Sequence, residues 1–305
     1  MPSSSAGLFL GIAPARAEPA VWLVTDRDSR MYLLGSLHLL GPDVPWRTPR
    51  LDALLDEAGE VWFEVAQVDG KPTPERIGLL QRFGLDRGQR LSSRLTPEEM
   101  RTLAAALQGQ GLPAPALETL RPWLAAMMFA QAKLQTLGIV PDRGVERVLH
   151  AGARERGKAV RALETTEEAI RALATLPDGV QLDGLHQVLQ DSERLGERFA
   201  RLQAAWQQGD LPGVEREGSS AMALAQPVVH EALISTRNRA WLPKLVAELE
   251  SDGVDLVVVG AAHLVGKDNL PELLRRRGYT VTRLGAPPTA AKPAKGGKAR
   301  RTAAG

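Results

Sequence analysis

Two stretches of the chain share one spacing of glycine and histidine. Gly35-Ser36-Leu37-His38-Leu39-Leu40-Gly41 and Gly260-Ala261-Ala262-His263-Leu264-Val265-Gly266 both read G-x-x-H-L-x-G. The chain holds only five histidines, so two of them in matching glycine frames point to a shared task. A neutral imidazole binds transition-metal ions, and it moves protons near neutral pH. A carboxylate, Glu64, stands inside the apolar run Val61-Trp62-Phe63-Glu64-Val65. A bare charge there is costly and calls for a cation, either a metal ion or an arginine. Two imidazoles and one carboxylate suit a divalent ion that keeps positions open for water. Glu164, in Arg161-Ala162-Leu163-Glu164-Thr165, could orient one of the imidazoles. Arg237 and Asn238 either belong to a solvated helix face or turn inward to hold a substrate carbonyl or carboxylate. His150, His186 and His230 sit in helical surroundings and read as ordinary helix residues.

Each of these groups follows a strand or lies on a helix that leads to one. Val21–Thr25 and Met31–Gly35 flank the polar turn Asp26-Arg27-Asp28-Ser29 and read as a hairpin. Glu60–Val65, Ala159–Leu163, Asp255–Val259 and Tyr279–Leu284 supply the remaining strand patterns. The unbroken apolar run Leu256–Val259 suits a central strand covered on both faces. Helical stretches separate the strands, so the pattern predicts an α/β fold. We read a mixed central sheet flanked by helices, with helical insertions over the strand ends at about 75–158 and 166–250. One domain then spans 21–284. Thr165 or Thr166 is placed to cap the helix that follows. Trp123, Met127, Met128 and Phe129 are either walls over the site or the core of their own helices.

Composition narrows the function. The chain has 305 residues, 44% hydrophobic and 24% charged, enough apolar material for a large core. It has no cysteine, which excludes disulfides, thiolate metal sites and a cysteine nucleophile. No 18-residue apolar run exists, so no transmembrane span is expected. The net charge of +2 includes five basic residues and no acid in 285–305, so the rest of the chain sums to −3. That balance argues against a nucleic-acid partner, and the last residues read as a disordered basic tail. Residues 1–20 read as an export signal or a disordered Ala-rich start. Ala15-Arg16-Ala17 offers a small-x-small cleavage site, which would make the protein periplasmic or secreted; a cytoplasmic location stays open.

The segments Tyr32–Gly41, Val61–Val65, Arg121-Pro122-Trp123, Gly144–Leu149, Leu163–Glu168, Arg237-Asn238…Trp241 and Val258–Leu270 resemble the TraB/GumN family. That family includes the Tiki-type metalloproteases and is similar in architecture to erythromycin esterase-like and ChaN-like proteins. The resemblance implies a metal-dependent hydrolase acting on a peptide or protein. His38, Glu64 and His263 would hold a divalent ion (manganese, cobalt or zinc); at such a site Arg237, with Asn238 beside it, could stabilise a developing oxyanion. It also places Glu146, like Glu164, where a residue backs the site or meets substrate. Two positions depart from the family pattern. Glu146 stands where aspartate is common, and Ala169 where glutamine is common. A non-enzymatic binder of metal or haem, as the ChaN likeness allows, and a metal-independent esterase-like hydrolase with His38 as base remain the alternatives.

Overall fold

A computed structural model describes residues 18–66, 73–221 and 226–285. The expected export signal and basic tail fall almost wholly outside these residues. Six strands form one sheet: β1 (Val21–Thr25), β2 (Ser29–Ser36), β3 (Glu60–Phe63), β4 (Ala159–Ala162), β5 (Gly253–Gly260) and β6 (Thr280–Leu284). Their order is β4-β3-β5-β2-β1-β6. β4, β3, β5 and β2 run parallel, whereas β1 is antiparallel to both β2 and β6. The sheet is therefore mixed, as the sequence predicts. Asp26 Oδ1 accepts from the backbone N–H groups of Asp28 and Ser29 and from the Ser29 hydroxyl, which closes the turn and starts β2 earlier than its apolar run does.

Alternation along β5 sorts its side chains onto two faces. Leu256 and Val258 join Val61, Phe63, Leu34 and Leu149 on one face, while Val257 and Val259 join Leu33, Trp241, Leu245 and Leu274 on the other. Helices Pro49–Glu57 and Val145–Glu155 cover the first, and helices Thr236–Leu249 and Leu270–Arg276 the second. β5 is covered on both sides, which is why its sequence reads as one apolar run.

Helices fill the long connections on either side of β4. Those within Pro74–Thr136 pack against those within Thr166–Gln190 around a core of their own, which contains Leu103, Leu107, Trp123, Phe129 and Leu185. Trp123 and Phe129 thus belong to this helical core; Met128 packs at its edge, and Met127 is exposed. Thr165 caps helix Thr166–Ala174 with a reciprocal bond to Glu168. No helix among the described residues is long and apolar enough to cross a membrane.

Candidate functional site

The two glycine–histidine stretches lie side by side because β2 and β5 are parallel neighbours, with Ser36 opposite Gly260. β3 flanks β5 on the other side, so Glu64, the residue after it, reaches the same strand ends. Such carboxyl ends are where open α/β sheets build their sites. Gly260 sits at the centre. A Cβ built there would lie 3.2 Å from Glu64 Oε1, 3.6 Å from the His263 ring and 3.8 Å from His38 Nε2. Any larger residue would push into the space the three groups share.

His38 follows β2 with its side chain 64% exposed. Its Nδ1 meets Glu146 Oε1 at 2.7 Å, and the Ser36 hydroxyl donates to that same oxygen. Glu146 gets there because helix Val145–Glu155 starts against the loop that carries His38. The N–H of Val145 donates to Leu37 O at 3.1 Å, and a Cβ on Gly144 would collide with the His38 carbonyl. A carboxylate in the first turn is also favoured by the helix dipole. The Glu146 charge outweighs desolvation and raises the His38 pKa to about 9. His38 is thus an imidazolium at neutral pH unless something displaces its proton.

His263 is the opposite case. It sits in the 3-10 turn Ala261–Leu264, buried, with its ring tilted on Trp241 at a centroid distance of 4.5 Å. Its Nδ1 lies 2.7 Å from Asn238 Oδ1, which can only accept, so Nδ1 carries the proton. Asn238 Nδ2 donates to the carbonyls of His263 and Asp268, which fixes the amide orientation. Burial, with Arg237 adding to it against the opposing pull of Glu64, pushes the His263 pKa down to about 3. The imidazole is neutral at physiological pH, with its Nε2 lone pair towards the site.

Arg237 is what occupies the space between these groups. Its Nε donates to both oxygens of Glu164 at 3.1 Å. Nη1 donates to Leu233 O and to His263 Nε2, each at 3.1 Å. Nη2 donates to Glu64 Oε2 at 2.6 Å and to Glu164 Oε1 at 2.5 Å. All five N–H bonds of the guanidinium have acceptors, and the group lies over the Trp241 ring. Glu64 completes its own coordination through Oε1, which accepts the Gly260 N–H at 2.7 Å. Burial is the largest single influence and would raise the Glu64 carboxyl, but Arg237, the two histidines and the Gly260 N–H together overcome it and hold the group well below the usual carboxylate range. Glu164, gripped by the same arginine, is raised because its own burial outweighs the pull of Arg237.

Several expected roles therefore change hands. Glu164 touches no imidazole; it grips Arg237 and accepts from Trp241 Nε1 at 3.1 Å. The carboxylate that orients an imidazole is Glu146. Arg237 has no N–H left for a developing oxyanion, so as placed it positions Glu64 and Glu164. Asn238 is fully buried and holds His263, out of reach of a substrate carbonyl. His186 bonds Glu99 in the helical region, and His150 stacks edge-on against Phe63.

The residue types fit a divalent ion. Both imidazoles have Nδ1 engaged by an oxygen, the usual outer support of a metal-bound histidine, which leaves the Nε2 of His38 beside Gly260 and that of His263 towards Glu64. His263 Nε2 and Glu64 Oε1 are 3.6 Å apart. The placement is less complete, since Arg237 donates to the very nitrogen an ion would need. Among the described residues, the side chains whose ligand atoms gather within 4.8 Å are instead Glu60, Glu248 and Asp255, at the other end of the strands.

The chain has relatives among known proteins. The chain is 28% identical over 259 residues to the uncharacterized protein YbaP of Escherichia coli (strain K12), covering 84% of this chain and 92% of that protein. The YbaP protein of Shigella flexneri matches with the same identity and coverage. No solved structure matches the chain. The model of the TraB/PrgY/gumN family aligns with residues 20–283, all of the sheet but the last residue of β6 and both helical connections, and the chain belongs to that family.

Proposed function

We propose that the protein is a metal-dependent hydrolase that cleaves peptide bonds, with His38, Glu64 and His263 as the ligand set. The observation that carries this reading is the pairing at the two histidines: Glu146 on one Nδ1 and Asn238 on the other, with His263 Nε2 3.6 Å from Glu64 Oε1 and His38 Nε2 beside Gly260. Held by these residues, a manganese, cobalt or zinc ion would supply Lewis-acid chemistry for hydrolysis. The protein's own part is to hold His263 neutral, to hold Glu64 ionised and to expose His38 to substrate. To serve as a ligand, His38 would have to give up its proton, and the His263 nitrogen that would hold the ion now accepts from Arg237. The family resemblance, rather than the geometry, suggests a peptide as substrate.

A second reading has one observation in its favour. Arg237 already places a fixed positive charge between Glu64, Glu164 and His263. In a metal-independent hydrolase His38, backed by Glu146, would then be the group that exchanges protons with substrate. Metal content measured before and after chelation, together with peptide-library cleavage in manganese, cobalt or zinc, separates the two. Cleavage that survives full chelation and disappears in His38→Ala selects the second reading. No cleavage under any condition rejects both.

A further inference from the structure

A cavity of about 340 Å³ opens beside His263. That is within the size range of small-ligand pockets and large enough for a side chain with the main chain that bears it. Two of its lining residues adjoin the site along the chain. Ala262 lines the cavity and directly precedes His263; Ile234 lines it and directly follows Leu233, whose carbonyl accepts from Arg237.

The wall is made by an unusual backbone. Residues Glu231–Ser235 form a π turn, between the short helix Pro227–His230 and the long helix Thr236–Leu249. Residues five apart on an α-helix point about 140° away from each other. The π turn has more residues per turn and brings them together: Ser235 Oγ and His230 Nδ1 are 3.2 Å apart. Both line the cavity. The same extra residue sets the phase of the following helix, which sends Arg237 and Asn238 into the site. Such turns recur at functional positions.

The lining also limits what would fit. Val214, Ile234 and Val265 supply apolar wall. Glu231 is taken up by Arg239 and Thr236. The exposed Glu215 and Lys267 carry opposite charges at the rim and offset one another. A pocket with an apolar wall and a balanced rim selects neither sign of charge.

We propose that this cavity receives an uncharged apolar side chain, of leucine or methionine size, from the residue flanking the scissile bond. The inference rests on the peptidase reading and names its specificity. The test compares peptides that carry Leu, Phe, Ala, Asp or Lys at one flanking position, with N-acetyl-leucinamide as a probe that need not be cleaved. Wild type should prefer Leu over Asp and Lys by roughly tenfold or more in kcat/KM. Ile234→Ala, which enlarges the wall, should shift preference from Leu towards Phe by roughly tenfold, mostly through KM. Lys267→Glu, an exposed change that does not threaten folding, should raise the relative rate on Lys peptides. Cleavage with an unaltered preference in both variants overturns the pocket assignment and leaves the peptidase reading standing. If no peptide is cleaved, the peptidase reading fails and the probe decides. Saturable N-acetyl-leucinamide binding that weakens in Ile234→Ala supports an apolar pocket, and no saturable binding to wild type rejects it.

Discussion

Arg237 Nη1 and His263 Nε2 are 3.1 Å apart, and the arginine is the donor. A guanidinium facing an imidazole nitrogen forbids a second proton there, so His263 is locked as one neutral tautomer from both sides. His38, a few ångströms away around Gly260, is driven the other way by Glu146. The site thus keeps two histidines of one motif in opposite protonation states.

Glu146→Gln should bring this difference down. Without the carboxylate charge, the pKa of His38 should fall from about 9 towards the ordinary histidine value near 6.5. NMR titration of the His38 ring in chelator-treated protein measures it. A value still near 9 in the variant would mean that Glu146 is not the cause.

Glu64→Gln tests charge at constant shape. Under the proposed function, hydrolysis should drop by about 10²–10⁴-fold, with weaker metal retention if Glu64 is a ligand. Stability should fall as well, because Arg237 loses one of its two carboxylates. Full activity together with a lowered melting temperature would leave Glu64 a purely structural partner of Arg237.

His263 gives the acid side of the stability profile. Its folded pKa, about 3, lies below the unfolded value near 6.5. Over that interval the unfolded chain binds the proton and the folded chain does not, so stability should decline as pH falls from about 6.5 towards 3. Urea midpoints of chelator-treated wild type and His263→Gln across this range check it. The variant should show a shallower decline.

Asp255 acts at the opposite end of the strands. Burial, then the nearby Glu248 and Glu60, push its carboxyl up to about 7. The folded state holds this proton above the unfolded pKa, so the contribution is full below about pH 4 and is lost as pH rises through 7. Asp255→Asn should therefore stabilise the protein at pH 8 by on the order of 2 kcal/mol, with little gain at pH 4. Equal effects at the two pH values would contradict the assignment.

The sequence exposes the parts of this molecule that repeat or alternate. The doubled glycine–histidine frame marks His38 and His263, and the apolar run around Glu64 marks a carboxylate that needs a cation. The strand patterns at 21–25, 60–65 and 255–259 correspond to β1, β3 and β5. Partnerships are harder to see. Nothing local says that Glu146 meets a histidine 108 positions earlier, or that Glu164, next to an equally suggestive strand, meets an arginine instead. Those outcomes depend on which strand lies beside which, and on how close Gly144 lets a helix approach His38. The π turn leaves no periodic signature in the sequence, so the neighbouring of His230 and Ser235 is not legible there. Asp255 reads as an ordinary polar start to an apolar strand; only its register opposite Glu60 makes it unusual.

The strand order β3-β5-β2 also decides when the candidate site can form. A chain is made from its N-terminus, and His38 and Glu64 emerge early, on strands that have no hydrogen bonds to each other. The strand that joins them is Gly253–Gly260, which appears only after most of the chain has been synthesised. Until it inserts, β2 and β3 keep open apolar edges of the kind that invite mispairing. The candidate site is thus incomplete, and these edges unpaired, until the second glycine–histidine stretch leaves the ribosome, and a single late insertion ends both conditions.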